Sequence, residues 1–86
     1  MPTISRFYGI RIRMFYNDKH GPHFHANYAE YRALISIADG SIIAGELPVR
    51  AYHLVLEWLA LRRSELEANW ERARRGEPLV EIEPLG

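Results

Sequence analysis

The segment Ile10-Arg11-Ile12-Arg13-Met14-Phe15-Tyr16 decides the fold of the first half of the chain, because its side chains alternate in character. The even positions are apolar or aromatic and share one face of an extended chain, whereas Arg11, Arg13 and Phe15 share the other. A period of two residues with one apolar face is typical of a half-buried antiparallel strand. The segment therefore predicts a strand with a core face and an outer face.

Further short strands are predicted on either side of this segment. The stretches that share its extended, apolar character are residues 3–8, 23–28, 31–37 and 42–43. Between the last two, Ala38-Asp39-Gly40-Ser41 predicts a hairpin, because Asp and Gly tolerate the positive φ angles of a type I′ turn. The turn formers of residues 17–22 must redirect the chain. We therefore expect an antiparallel meander of four or five strands.

The second half of the chain changes to a helical period. From Val49 to Leu61 the strongly polar residues are Arg50, His53 and Glu57, which form one narrow stripe on an otherwise apolar cylinder. Such a helix needs cover on most of its circumference, since large exposed apolar patches are unusual on monomers. We therefore expect a homodimer or a small partner protein encoded nearby, bound through this helix or a sheet edge.

A second helix is predicted from a capping box. Ser64-Glu65-Leu66-Glu67 has the spacing of an N-cap with a reciprocal glutamate, and Gly76 followed by Pro78 closes the helix. One continuous helix over residues 49–75 is the alternative, but the box favours two helices, or at least a kink. Residues 79–83 alternate weakly and can add a short last edge strand. The predicted fold is a single α+β domain over residues 1–86, with two C-terminal helices packed on one face of the sheet.

Composition restricts the classes of function. Eleven basic and eleven acidic residues give a formal net charge of zero, so no global field favours nucleic acid or an anionic membrane. The absence of cysteine excludes disulfides and thiolate metal sites. The N-terminus lacks the apolar run of a signal peptide, and no apolar stretch approaches the roughly 20 residues of a membrane span. We expect a soluble, cytoplasmic domain with no membrane partner.

Three of the four histidines lie close together, at His20, His23 and His25. His23 and His25 project from the same face of a strand, with Cα atoms about 6–7 Å apart. The pair can share a divalent metal ion, with His20, Asp18 or Glu30 as a third ligand, or place one imidazole as a base beside the other. Alternatively, they are half-buried, hydrogen-bonded strand residues that position the turn. No cofactor is required, and the metal is not specified.

The register across the turn decides which face carries these histidines. If Tyr16 pairs with His23, both histidines lie on the core face, and a slip of one residue moves them to the outer face. We favour the outer face, because that register turns Phe24, Ala26 and Tyr28 toward the core.

In the favoured register, an outward patch combines Arg11, Arg13, Phe15, His23 and His25. Cations beside an aromatic ring can take a phosphate or an RNA base, so Arg11, Arg13 and Phe15 form a candidate ligand or nucleic-acid face. An ordinary solvated strand face is the alternative interpretation.

The chain resembles a small bacterial protein family, domain-of-unknown-function family 4160. The stretches that carry the resemblance are Pro2 to Ile10, Pro22-His23-Phe24-His25-Ala26, Leu56-Glu57-Trp58, and Asn69-Trp70 with Pro78. The resemblance implies a stand-alone protein encoded beside a second small protein, as in a toxin–antitoxin module. Family members commonly have two prolines before the first histidine of the motif, and Gly21 replaces one here. The resemblance carries over no catalytic residues.

Two functional hypotheses follow. The first is an interaction component of a two-protein, toxin–antitoxin-like module. The second is a small ribonuclease-like enzyme or a metal-binding protein that uses His23 and His25 with Arg13 or Arg11. In the enzyme, one histidine would take the 2′-hydroxyl proton, the other would protonate the leaving group, and the arginine would stabilise the charged transition state.

Overall fold

The computed structural model describes residues 3–15 and 21–86, so Tyr16, Asp18 and His20 lie outside the described residues. The described elements are β1 (Thr3–Phe7), β2 (Ile10–Arg13), β3 (His23–Tyr28), β4 (Tyr31–Ser36), β5 (Ile42–Gly45) and α1 (Val49–Arg74). The strands form one antiparallel sheet in the order β1-β2-β3-β4-β5. The predicted α+β class and the five-stranded meander are confirmed.

The alternation that predicted the strands also separates the two faces of the sheet. In β2, Ile10 and Ile12 are fully buried, whereas Arg11 is exposed. On the buried face the helix packs through Trp58, whose ring lies 5.8 Å from that of Phe24 in an edge-to-face contact. The opposite face, called the outer face below, carries Arg11 and its neighbours.

The predicted hairpin after β4 forms, but its turn is not type I′. That turn needs a positive φ at both central residues, and only Gly40 has one, at 76°. Asp39 instead accepts a hydrogen bond from the Ser41 amide at 2.9 Å, which holds the pKa of its carboxyl below the usual value. The turn then docks onto the helix, because the Tyr52 hydroxyl donates to the Gly40 carbonyl at 2.6 Å.

One kinked helix stands in place of the two predicted helices. Within α1, Arg62 has φ −121° and ψ 19°, which lie outside the helical region, and the helix continues beyond it. Ser64, the predicted cap of a second helix, is therefore an interior residue of α1. The helix continues because both halves bury apolar side chains, among them Val55 before the kink and Leu66 after it. The sequence predicted two helices or at least a kink, and the structure contains the kink.

The predicted last strand over residues 79–83 is not formed. Residues 77–86, called the C-terminal segment below, contain no strand, and the segment meets the edge strand β1 at Ile82. One ladder-like hydrogen bond joins them, from the Ile82 amide to the Ile4 carbonyl at 2.8 Å. Pro78 and Pro84, on either side of Ile82, limit further pairing, because proline has no amide hydrogen to donate.

Side chains of the helix hold the C-terminal segment by its backbone. The Asn69 side chain donates to the Val80 carbonyl at 2.7 Å and accepts from the Val80 amide at 3.0 Å. The Trp58 indole donates to the Glu83 carbonyl at 2.8 Å. Both Asn69 and Trp58 are completely buried.

This segment supplies much of the cover that the apolar helix needs. The predicted polar stripe of Arg50, His53 and Glu57 is exposed. Leu79, Ile82 and Leu85 of the C-terminal segment pack against the core. On the helix, Val49 and Leu61 remain exposed, at 70% and 63%. A second chain is therefore less necessary than the sequence suggested, and homodimerisation stays a prediction.

Both edge strands are irregular. The register shifts between Thr3 and Ser5 in β1 and between Leu34 and Ile35 where β4 meets β5. Bulges of this kind discourage strand addition at a sheet edge. In the described part of the chain, no helix is long and apolar enough to cross a membrane.

Candidate functional site

The register between β2 and β3 is the one favoured from the sequence. Arg13 lies opposite His25, and Arg11 lies opposite Asn27. Because directly opposed residues share a face of the sheet, the histidines of β3 lie on the outer face with the arginines of β2. Phe24 and Ala26 are fully buried on the other face, as expected.

A continuous row of ring and cation contacts crosses this face; we call it the aromatic row. The Phe15 ring meets the His25 ring edge-on at 4.3 Å, and the Arg13 guanidinium lies 5.0 Å from the Phe15 centroid. His25 lies 5.2 Å from His23, which lies 5.3 Å from Trp70 of the helix. The row therefore runs from a half-buried cation on the sheet to a buried indole on the helix.

The two histidines have different surroundings. His23 is 1% exposed, whereas His25 is half-buried. Nδ1 of His23 lies 2.7 Å from the Gly21 carbonyl oxygen. A carbonyl can only accept, so this nitrogen carries the proton, a tautomer assigned from its partner. His23 thus holds the Gly21 carbonyl and supports His25, and His25 is the histidine that a ligand can reach.

This difference leads to a prediction about stability. His23→Ala should lower the free energy of unfolding by about 1–2 kcal/mol, because it opens a cavity between the His25 and Trp70 rings. His25→Ala should cost less than about 1 kcal/mol. Chemical denaturation of both variants measures the difference, and equal losses would show that His23 is not the supporting residue.

The predicted metal set of His20, His23 and His25 can be followed only in part, since His20 lies outside the described residues. Across residues 3–15 and 21–86, no group of three histidine, cysteine or acidic side chains is placed to hold a metal ion. The metal site stays a prediction.

The arginines of the sheet differ from those of the helix in their partners. On the helix and just beyond it, Arg62, Arg74 and Arg75 pair with glutamates at 3.0 to 3.3 Å. Among the described ion pairs, none involves the four strand arginines, which are Arg6, Arg11, Arg13 and Arg32. No residue of the five described strands is acidic. The outer face is therefore a basic surface on a chain of zero net charge.

Arg13 shows the lack of an ion-pair partner among the described residues most clearly. It is half-buried, and its Nε is buried with no hydrogen-bond acceptor among the described residues. A charged group held in this way gains from any anion that approaches its exposed side.

Sequence reasoning missed the part that Trp70 takes in this site. Its position on the helix indicated a core aromatic, and it is indeed buried, at 8% exposure. Its contact with His23 depends on how the helix beyond the kink docks against the sheet, and no local pattern encodes that docking.

A family model for a domain of unknown function, DUF4160, matches residues 9–71. The chain belongs to the DUF4160 family. The match confirms the resemblance noted from the sequence, and its range includes β2 to β5 and most of α1. No curated protein and no solved structure matches the chain. The aromatic row of this DUF4160 domain lies entirely within the matched residues, whereas the C-terminal segment lies beyond them.

Proposed function

We propose that this DUF4160 domain is a binding module whose outer sheet face takes single-stranded nucleic acid. The observation that carries the proposal is that, among the described residues, no strand arginine is paired with a carboxylate. Such cations can neutralise phosphates, and phosphate contacts supply most of the affinity for nucleic acid. A solvated face with balanced charges, the alternative interpretation, would be expected to pair its arginines.

The aromatic row supports the choice of a nucleic acid over a simple anion. Phe15 and His25 present ring atoms beside Arg13, and single-stranded nucleic acids stack their bases on such side chains. The helix covers the other face of the sheet through Trp58 and reaches the outer face at His23 through Trp70. Arg6, Arg11 and Arg32 of the outer face are exposed.

Burial counts against the ribonuclease alternative. A two-histidine mechanism needs both imidazoles within hydrogen-bond reach of the substrate. His23 is buried and its Nδ1 is bound to the Gly21 carbonyl, so His25 would have to act without it. Binding without cleavage is therefore the better-supported role.

A two-protein, toxin–antitoxin-like module remains compatible with this proposal. In it, the DUF4160 domain would be the interaction component that contacts nucleic acid, and a second small protein or a second copy would be its partner. The bulged sheet edges favour a partner surface elsewhere than at a strand edge.

The test is binding of fluorescein-labelled oligouridine, followed by fluorescence anisotropy between about 50 and about 200 mM salt. Phe15→Ala should weaken binding by a factor between about 5 and about 150, because a base–aromatic stack contributes about 1–3 kcal/mol. Arg13→Ala should reduce the slope of log K against log salt by about 0.7, the value for one lost phosphate contact on a single strand.

Arg50→Ala is the matched control, because Arg50 is an exposed arginine on the helix. It should bind as the wild type does. The proposal is wrong if the wild type shows no saturable binding at the lowest salt, or if the control loses as much affinity as Arg13→Ala.

A further inference from the structure

Four residues are paired in succession across the outer face, one on each of four neighbouring strands. Arg6 of β1 lies opposite Arg11 of β2, Arg11 lies opposite Asn27 of β3, and Asn27 lies opposite Arg32 of β4. The three arginines are exposed, and Asn27 is half-buried. We call this set the arginine ladder.

The pairing of Arg6 with Arg11 costs stability. Like charges directly opposite each other on neighbouring strands repel, and the described residues supply no carboxylate to separate them. The Nε of Arg11 donates to the Thr3 hydroxyl at 2.8 Å, which orients the side chain without neutralising it. A sequence that breaks a local rule in this way commonly does so at a functional site.

The far end of the ladder is also without an ion pair. The Glu46 amide donates to the Arg32 carbonyl at 2.9 Å, so the chain brings Glu46 close to Arg32. Even so, none of the described ion pairs joins their side chains. Arg32 therefore presents its charge on the same face as Arg6 and Arg11.

The length of the ladder fits an extended polyanion better than a single phosphate ion. Four neighbouring strands are separated by three gaps of about 4.8 Å, so the ladder spans about 14 Å. Asn27, in the middle, can donate its amide to a phosphate or a sugar oxygen, as asparagine commonly does in nucleic-acid complexes.

The aromatic row lies beside the ladder. Arg13 and His25 are opposite each other, and each is two residues along its strand from a member of the ladder. Two residues along a strand correspond to about 6–7 Å. A base stacked at His25 would therefore leave its phosphate over the ladder, and Phe15, whose ring contacts that of His25, would stack the next base.

We infer that the arginine ladder is the track for the sugar–phosphate backbone of a single-stranded nucleic acid, which crosses the strands with its bases directed toward Phe15 and His25. The inference rests on the proposed function, and it adds the direction of the bound strand and three residues, Arg6, Asn27 and Arg32. An anionic membrane and a phosphopeptide are the other occupants that the test distinguishes.

The experiment compares Arg6→Thr, Arg32→Thr and the double variant with the Arg50→Ala control, by anisotropy with labelled oligouridine and by thermal unfolding. Threonine suits a strand. Each single variant should reduce the slope of log K against log salt by about 0.7, and the double variant by about twice as much. Arg6→Thr should also leave the melting temperature unchanged or raise it, because it removes the repulsion with Arg11.

Uridine monophosphate distinguishes a track from a single phosphate site. Both threonine variants should bind the mononucleotide nearly as the wild type does, while they bind the oligomer more weakly. Equal weakening for both ligands would overturn the track.

The remaining outcomes separate the inference from the proposed function. If Phe15→Ala and Arg13→Ala weaken oligomer binding but the threonine variants do not, the track is wrong and the proposed function stands. If none of the four weakens binding, both are wrong. Stronger binding to vesicles of anionic phospholipid or to a phosphoserine peptide than to oligouridine would overturn the nucleic acid as the occupant.

Discussion

Trp58→Ala is expected to lower the free energy of unfolding by about 3–5 kcal/mol, the largest single effect in this domain. Trp58 is fully buried, and its ring lies 5.2 Å from Phe7 and 5.8 Å from Phe24. Its indole also holds the Glu83 carbonyl. The substitution therefore opens a cavity between helix and sheet and releases one attachment of the C-terminal segment. Urea unfolding followed by circular dichroism measures the loss.

Trp58→Phe is the matched control, because it keeps an aromatic ring and removes the N–H donor. It should cost less than the alanine variant, since it forfeits one hydrogen bond, about 0.5–1.5 kcal/mol, and a smaller volume. If Trp58→Ala cost under about 1 kcal/mol, the helix would not be anchored to the sheet at this residue.

Asn69→Ala is expected to cost about 2–3 kcal/mol. The side chain is fully buried and makes two hydrogen bonds to Val80, and its Oδ1 also accepts from Arg72 at 2.9 Å. The alanine substitution removes all three hydrogen bonds together, so the C-terminal segment loses its attachment to the second half of the helix. Hydrogen exchange at the Ile82 amide, which donates to Ile4, should become faster than in the wild type.

Ser64→Ala is the control for Asn69, because Ser64 is exposed and lies within the same helix. It should be neutral or slightly stabilising, since alanine is the better helix former. A cost near 1 kcal/mol would instead indicate that Ser64 caps a separate helix, as the sequence suggested. Unchanged exchange at Ile82 in Asn69→Ala would show that the side chain does not hold the segment.

The sheet was predictable because its signal is local. From Ile10 to Arg13, the polarity of each side chain indicates whether it lies on the core face or the outer face. The apolar pattern of His23 to Tyr28 favours one register over the register shifted by one residue. The break in the helix was over-interpreted, because a capping box near Arg62 and Arg63 has the same composition whether the helix ends or only bends. The prediction of a type I′ turn at Asp39 was wrong, because the Asp39 side chain accepts a hydrogen bond from the backbone and so favours another turn geometry.

The same alternation predicted which residues lie on the outer face. It did not predict which of these residues are buried or which residues they contact. Arg13, Phe15 and His25 lie together as expected. The burial of His23 depends on Trp70, and the alignment of Arg11 with its ladder partners depends on the registers of four strands. The burial of Asn69 was not predicted either, because one asparagine in a charged helix has the pattern of a surface residue.

The attachment of the C-terminal segment has a consequence for how the sequence of this chain can vary. The side chains of Asn69 and Trp58 form hydrogen bonds with the backbone of Val80 and Glu83. Backbone groups are the same in every residue but proline. Substitutions at the exposed positions 80 and 83 should therefore accumulate between related chains without loosening the segment. Asn69 and Trp58, whose side chains make these hydrogen bonds, should vary far less than positions 80 and 83.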